Sequence, residues 1–195
     1  MIFGDRMKKR LLKKSQVIVL LSGGIDSAAA VQYYLKNGHS VRGLFIDYGQ
    51  IVSKKEHLAA RKVSRILRIK LDAIKVKWQK KFVDGEIRGR NAFLIFTALM
   101  NYQDFSGLLS IGIHSGVPYY DCSEGFVDDI RKLISGYTNG KIQLDVPFLK
   151  WNKKLIYEYF VKNDLSINMT YSCEKGAQRP CGQCQSCLDR KALLC

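Results

Sequence analysis

The sequence has little proline, no long hydrophobic run and few acidic residues, and each shortage excludes a class of protein. Only 3 of its 195 residues are proline, and no low-complexity tract or internal repeat interrupts it, so no linker indicates a domain boundary. We therefore predict one domain over residues 1–195, a length that buries a sizeable core. Hydrophobic residues make up 47% and charged residues 25% of the chain, a composition typical of globular rather than disordered proteins.

The hydrophobic runs are too short for a secreted or membrane protein. Residues 17–21 form an apolar run that follows a basic stretch, as in a secretory signal. Such a signal needs an apolar core of about 7–15 residues, and a membrane helix needs about 20. We therefore expect a cytoplasmic protein that has no membrane association.

Acidic residues are scarce relative to basic ones. The chain has 32 lysines and arginines against 17 aspartates and glutamates, a formal net charge of +15. A positive field of this size predicts an anionic partner, and the charge alone leaves ATP, a nucleic acid and an acidic protein surface open. A general solubility feature is the alternative interpretation. Five of the seven residues 8–14 are basic, and this flank directly precedes the first predicted strand.

Six cysteines in a chain without a secretory signal are expected to be thiols or metal ligands rather than disulfides. Four of them cluster in residues 173–187, the last three in two consecutive C-x-x-C steps: Cys173, Cys181, Cys184 and Cys187. Four thiolates suit a closed, tetrahedral structural zinc site, in a segment over about residues 170–195. An iron–sulfur cluster and free buried thiols are the alternatives. Cys122 and Cys195 are not assigned to the cluster.

Short β-branched runs alternate with helical patterns along the whole chain. The strands are predicted over residues 17–21, 41–46, 71–76, 108–113 and 143–146. The helices are predicted over residues 28–35, 58–67, 91–102, 124–134 and 152–161. This alternation predicts an α/β fold, a doubly wound and mostly parallel sheet that helices cover on both faces.

The loop of residues 22–27, Ser-Gly-Gly-Ile-Asp-Ser, joins the first predicted strand to the first helix. Backbone N–H groups at a helix N-terminus and two serine hydroxyls favour a bound phosphate, and adjacent glycines allow close approach. The loop lacks the ending of a Walker A motif and the spaced glycines of a dinucleotide fingerprint. A turn without a ligand is the alternative.

The loop resembles the signature of the PP-loop ATP pyrophosphatases, Ser-Gly-Gly-x-Asp-Ser, at every fixed position. The resemblance implies cleavage of ATP between its α- and β-phosphates, formation of an adenylate, and displacement of AMP by a nucleophile. It also implies that Asp26 lies near magnesium. The residues that it assigns to pyrophosphate are Ser22, Gly23, Gly24, Asp26 and Ser27.

Further motifs resemble one family of that class, the 7-cyano-7-deazaguanine synthases of the queuosine precursor pathway. They are residues 47–50 (Asp-Tyr-Gly-Gln) with Glu56, residues 89–91 (Gly-Arg-Asn), Lys153, and the cysteine segment through Arg190. The resemblance implies that 7-carboxy-7-deazaguanine and ammonia become an amide and then a nitrile in two adenylations. ATP, magnesium and a structural zinc ion are implied, and a homodimer is one expectation because relatives in this class often pair.

The resemblance also assigns roles to single residues. Asp26, Arg90 and Lys153 are expected to be catalytic, the two cations acting where charge develops on phosphate. Either cation alone is also consistent with a surface charge. Nucleotide contacts are expected at Asp47, Tyr48 and Gln50, and acceptor contacts at Arg90, Asn91 and Asp121. Tyr48 is consistent with stacking on a purine or with packing, and Asn91 with capping its helix.

The sequence departs from the family on the acceptor side. Ile25 stands where the family usually has Gln, and residues 112–122 are shorter than the family's segment, with Tyr120 in place of a proline. Asp121 is predicted to accept two hydrogen bonds from a guanine-like base, against the alternative of a solvated loop carboxylate. The departures leave two further hypotheses: conjugation of a deazapurine acid through an amide to a protein or nucleic-acid amine, and a non-catalytic nucleotide-binding module.

Overall fold

A computed structural model describes residues 15–79, 82, 85–114, 116–176 and 179–193. Residues 8–14, Ser115 and Cys195 lie outside the described residues. Five strands form one sheet in the order β3-β2-β1-β4-β5, and all four pairings are parallel. The strands are β1 Gln16–Leu20, β2 Ser40–Asp47, β3 Lys70–Lys75, β4 Gly107–Ile111 and β5 Ile142–Asp145. The predicted doubly wound α/β architecture is confirmed.

Helices connect the strands and follow the last of them. Their bounds are α1 Ile25–Lys36, α2 Ser53–Ile66, α3 Arg90–Asn101, α4 Glu124–Thr138, α5 Lys153–Lys162 and α6 Gln185–Ala192. Two short 3-10 turns cover Tyr120–Cys122 and Ile167–Met169. The sequence predicted the first five helices and missed α6. In the described part of the chain, no helix combines the length and apolar character needed to cross a bilayer.

Alternation along β1 divides the core into two layers. Val17, Val19 and Leu21 point to one face, where they pack with buried side chains of α1, α2 and α5. Ile18 and Leu20 point to the other face, toward α3 and α4. Successive side chains of a strand lie on opposite faces, so a strand buried on both faces is apolar throughout, as this one is.

The order of the strands places a topological switch between β1 and β4. The chain proceeds outward from β1 to β2 and β3, then returns to the other side of β1 for β4 and β5. In open α/β sheets of this kind a crevice opens at the carboxyl ends of the strands where the direction reverses. The loops after β1, β2 and β4 meet at that crevice.

Candidate active site and four-cysteine cluster

A cavity of about 280 Å³ lies at this crevice and brings together residues from several separate elements. Its apolar wall comes from strand ends and includes Leu44, Phe45 and Ile111. Its polar wall comprises Ser22, Gly24, Asp26, Ser27, Tyr48, Gln50, Glu56, Arg90, Asn91 and Ser186. A cavity with one apolar wall and a few converging polar groups is the usual form of a small-molecule site.

Close packing of the backbone fixes the loop of residues 22–27. Gly23 has φ +85°, and a Cβ there would lie 2.7 Å from the Ala60 nitrogen and from the Glu56 carbonyl oxygen of α2. A Cβ at Gly112, just after β4, would lie 3.0 Å from the Ser27 nitrogen. The loop is therefore held between α2 and the end of β4, and only glycine fits at the α2 contact.

Two serine side chains organise the inside of the loop. Ser22 Oγ and Ser27 Oγ lie 3.2 Å apart, and Ser27 Oγ donates to the Gly24 carbonyl at 3.0 Å. The loop leads directly into α1, whose first backbone N–H groups have no partner within the helix. Ile25 is buried in the core with 3% of its surface exposed. The departure at position 25 therefore changes the core and leaves the phosphate-facing groups unaltered.

Asp26 and Lys153 lie 127 positions apart in the sequence and form an ion pair at the loop. Lys153 Nζ lies 2.5 Å from Asp26 Oδ2, and the two side chains are 30% and 22% exposed. Lys153 begins α5, where Asn152 Oδ1 accepts from the Leu155 nitrogen and caps the helix. Asp26 Oδ1 is buried and has no hydrogen-bond partner among the described residues. A buried carboxylate oxygen without a partner is suited to a cation.

Gln50, in the loop after β2, fixes the carboxyl group of Glu56 of α2 beside the cavity. Gln50 Oε1 accepts from the Tyr48 nitrogen at 2.9 Å, and Gln50 Nε2 donates to Glu56 Oε2 at 2.8 Å. Burial raises the pKa of Glu56, although the hydrogen bond from Gln50 and the charge of Arg90 oppose that rise. Gln50 thus holds the Glu56 carboxyl group in place.

Tyr48 both packs and lines the cavity. Its ring centroid lies 5.9 Å from that of Phe82 and 6.5 Å from that of Phe93, so the ring packs against aromatic neighbours, and its nucleotide contact stays a prediction. Asp47, by contrast, is not among the described residues that line the cavity. Its carboxylate accepts from the Gly49 nitrogen at 3.1 Å and shapes the turn. Its nucleotide contact stays a prediction.

Asn91 connects α3 to the 3-10 turn at Tyr120–Cys122. Its backbone nitrogen donates to Asp121 Oδ2 at 3.2 Å, and its Nδ2 donates to the Asp121 carbonyl at 3.0 Å. The alternative that Asn91 caps its helix is wrong, since Gly89 occupies the cap position with φ +74° and Asn91 lies inside the helix. Asp121 is not part of the described cavity lining. Burial raises the pKa of the neighbouring Cys122 to about 11, so this thiol is protonated at neutral pH.

The four C-terminal cysteines converge. The Sγ atoms of Cys173, Cys181, Cys184 and Cys187 all lie within 4.8 Å of one another and could hold a metal ion. Backbone nitrogens of Gln183 and Cys184 donate to Cys181 Sγ at 3.5 and 3.3 Å. These hydrogen bonds lower the pKa of Cys181 to about 6, since they stabilise the thiolate. Backbone N–H groups of the first C-x-x-C step thus turn toward sulfur.

Comparison with known proteins decides the family. The family model described as "Queuosine biosynthesis protein QueC" matches residues 16–86 and 86–194. The chain belongs to the QueC family. A curated 7-cyano-7-deazaguanine synthase of Synechococcus sp. (strain RCC307) is 32% identical over 214 residues, covering 92% of this chain and 94% of the relative. One from Prochlorococcus marinus (strain MIT 9312) is 30% identical over 207 residues, covering 90% and 92%.

Solved structures place this QueC-family chain in a wider fold group. An NMN synthetase from Francisella tularensis superposes with a TM-score of 0.54 at 16% identity, over 82% of this chain and 66% of that one. A 4-thiouridine synthetase in an RNA complex with bound ATP superposes with a TM-score of 0.53 at 18% identity, over 92% and 53%. Likeness at this level of identity establishes the shared fold and no more.

For this QueC-family chain, sequence reasoning missed how α6 reaches the loop. Ser186 lines the main cavity and also a smaller cleft of about 100 Å³ beside the loop. Asp26, Lys153, Asp189 and Arg190 line the same cleft. The sequence indicates Arg190 only as part of the C-terminal motif, because nothing in its local sequence shows that it lines a cleft with a loop more than 160 positions away.

Proposed function

We propose that this QueC-family protein is an ATP-dependent carbon–nitrogen ligase that acts on 7-carboxy-7-deazaguanine and ammonia and releases AMP and pyrophosphate. The observation that carries the proposal is the Asp26–Lys153 ion pair at a tightly packed glycine loop. Asp26 also lines the main cavity, as Arg90 does. The names of the curated relatives give the product, 7-cyano-7-deazaguanine, from which the carboxylate acceptor is inferred. The apolar wall of the cavity is suited to the flat face of a purine-like ring.

The first step is activation of the acceptor's carboxylate. An oxygen of that carboxylate attacks the α-phosphorus of ATP, and the bond from that phosphorus to the leaving pyrophosphate breaks. The loop's N–H groups and serine hydroxyls receive the pyrophosphate, while Lys153 and Arg90 stabilise the negative charge that develops. The acyl-adenylate that results has AMP as a good leaving group.

Ammonia then attacks the acyl carbon, and AMP leaves to give the amide. For the nitrile, the amide oxygen is adenylated by a second ATP, and loss of AMP and the remaining N–H protons forms the carbon–nitrogen triple bond. The same pyrophosphate loop serves both adenylations. Asp121 is proposed to accept hydrogen bonds from the donor edge of the base.

Magnesium and zinc both fit residues of this chain. Asp26 Oδ1, buried and without a described partner, would hold Mg²⁺, which neutralises phosphate charge when bound. A Zn–S bond of about 2.3 Å in tetrahedral geometry separates thiolates by roughly 3.8 Å. The four Sγ atoms lie within 4.8 Å of one another, which is close enough for all four to bind one ion. A cluster of several irons needs thiolates set further apart, so the spacing favours zinc.

A second candidate stops at the amide and conjugates the deazapurine acid to a protein or nucleic-acid amine. The observation that favours it is the acceptor side, where Asp121 accepts from the Asn91 nitrogen and Tyr120 is 67% exposed. An open acceptor side would admit a large amine. The strongly basic chain is suited to an acidic or nucleic-acid partner.

One incubation separates the candidates. The purified protein is mixed with 7-carboxy-7-deazaguanine, ATP, magnesium and ammonium, and the products are identified by mass spectrometry. We expect the nitrile together with AMP. Amide alone would favour the second candidate, which a covalent mass increase on an added macromolecule would then support. Absence of AMP release with every acceptor would contradict both and leave a nucleotide-binding module.

Metal analysis tests the zinc assignment separately. We expect about one zinc ion per chain, as a closed four-thiolate site requires. A brown chromophore with iron in place of zinc would contradict it.

A further inference from the structure

The loop of residues 22–27 is hydrogen-bonded to the segment that leads into the four-cysteine cluster. The Tyr171 nitrogen donates to the Gly23 carbonyl oxygen at 3.0 Å. Tyr171 lies two residues before Cys173, and the Lys55 ammonium of α2 stands 5.6 Å from the centre of its ring. The position of Tyr171 therefore affects the backbone of the loop directly.

Arg190 holds that segment from the other side. Its Nη2 donates to the Ile167 carbonyl at 2.9 Å, and its Nη1 lies 3.4 Å from both the carbonyl oxygen and Oγ1 of Thr170. The planar fork of a guanidinium reaches two acceptors at once, which the single ammonium of a lysine does less well. Arg190 thereby ties α6 to the turn at Ile167–Met169 and to the residue that precedes Tyr171.

Two of the four cysteines belong to the start of α6. Cys184 occupies the N-cap position of α6, and Cys187 lies within its first turn. An ion bound by the four sulfurs would fix the start of this helix and so the place of Arg190, one turn further along. The contacts then run from α6 through Arg190 to Ile167 and Thr170, and through Tyr171 to Gly23.

We infer that Arg190 is a positioning residue for the pyrophosphate loop, and that metal bound at the four cysteines increases the affinity for ATP through it. The inference rests on the proposed function only in that the loop binds ATP. It does not depend on which acceptor is used. Arg190 acts on ATP through the backbone of residues 167–171.

A direct action of the Arg190 charge is the competing explanation, because Arg190 also lines the cleft beside Asp26 and Lys153. Arg190→Lys distinguishes the two explanations, since lysine keeps the charge and loses the simultaneous hydrogen bonds to the Ile167 and Thr170 carbonyl oxygens. Arg190→Met removes both. Arg42→Lys is the matched control: Arg42 donates to both carboxylate oxygens of Asp72, at 3.2 and 2.9 Å, near the amino end of β2 and away from the loop.

The experiment measures ATP binding by calorimetry on metal-loaded proteins, together with metal content per chain. Hydrogen bonds from a charged donor contribute enough free energy that their loss in R190K should weaken ATP binding by about tenfold. Metal content should stay at the wild-type value, and R42K should bind ATP within about twofold of wild type. Wild-type affinity in R190K with weak binding in R190M would show a direct charge effect and overturn the inference. Loss of metal from R190K would also overturn it.

Metal removal completes a thermodynamic cycle. Chelation should weaken ATP binding by the wild-type protein and change the affinity of R190K much less, because the connection is already broken. Equal losses in both proteins would overturn the role of the metal. If the metal-free chain unfolds, the comparison of loaded R190K with loaded R42K decides by itself. Failure of wild-type protein to bind ATP would contradict the proposed function, whereas equal binding by wild type and R190K would contradict only this inference.

Discussion

The two sides of the cavity differ in how their polar groups are used. On the loop side, Asp26 Oδ1 is buried without a described partner. On the α3 side, Asn91 and Asp121 hydrogen-bond to each other, and Asn91 also donates to Cys122 Sγ at 3.7 Å. Polar groups left without a partner indicate a ligand, whereas groups that satisfy one another indicate architecture. We therefore expect the loop side to bind ligand and take part in the reaction. We expect the α3 side to maintain the shape of the cavity.

The largest effect is expected at Lys153. Lys153→Met removes the cation beside the loop and leaves Asp26 uncompensated, so ATP–pyrophosphate exchange in the presence of acceptor should fall by about 10²–10³. Lys154→Met is the control, because Lys154 is 80% exposed and lies 4.0 Å from Glu158. Exchange by K154M should stay near that of wild type. Equal losses in the two variants would contradict a specific role of Lys153 on the loop side.

Gly23→Ala tests how tightly the loop is packed. A methyl group there would lie 2.7 Å from backbone atoms of α2 at a φ of +85°, so the free energy of unfolding should fall by about 2–4 kcal/mol. At Gly24 the nearest atom to an added Cβ is Ser22 Oγ, at 3.5 Å. Gly24→Ala should therefore cost less than about 1 kcal/mol in urea unfolding. A similar loss of unfolding free energy in both alanine variants would mean that the contact with α2 does not limit residue 23 to glycine.

Asp121 tests the α3 side. Asp121→Ala leaves the Asn91 nitrogen without its acceptor and should lower the free energy of unfolding by about 1–3 kcal/mol, whereas an asparagine oxygen can still accept. Asp121→Asn should therefore be nearly as stable as wild type by chemical unfolding. The KM of the acceptor, measured on the same variant, tests the predicted base contact. A raised KM at unchanged stability would contradict the proposed difference between the two sides of the cavity. Asp121 would then bind the acceptor, although it lies on the α3 side.

The smallest effect is expected at Glu56, which lies against the loop and faces Arg90. The pKa of Glu56 is raised above its ordinary value of 4.5 in the folded protein, because burial disfavours the charged carboxylate. Protonation of Glu56 therefore adds to the free energy of unfolding below pH 4.5. This stability is lost as the pH rises through the folded value. Glu56→Gln imitates the protonated form at every pH. Its free energy of unfolding should exceed that of wild type at neutral pH, and urea unfolding near pH 4 should abolish the difference.

The sheet and the loop could be predicted because their signals are local. The apolar run at residues 17–21 indicates a strand buried on both faces, and two glycines followed by Asp26 indicate a phosphate loop. Helix α6 has no comparable signal, because its eight residues, Gln185–Ala192, carry a single buried side chain, Cys187. Sulfur atoms that converge on one point, rather than an apolar stripe, define where it lies.

The role of Asn91 could not be predicted for a different reason. Its residue type is consistent with a cap, with a substrate contact and with an internal link. Choosing among these requires the position of Asp121, which depends on how the segment after β4 folds back over α3. The residue types of Arg90 and Lys153 leave the same ambiguity. The ion pair with Asp26 places Lys153 at the loop, and the catalytic roles of both cations stay predictions.

The long separation between Asp26 and Lys153 affects how the protein is made. The loop of residues 22–27 is synthesised early. Lys153, which pairs with Asp26 of the loop, follows more than a hundred residues later. Tyr171, which is hydrogen-bonded to Gly23, follows later still. A nascent chain therefore has the whole phosphate motif long before it has the groups that shape it. Nucleotide binding at the loop, as proposed, therefore requires a chain synthesised past Tyr171, and a product terminated before Lys153 would carry the loop without this ion pair.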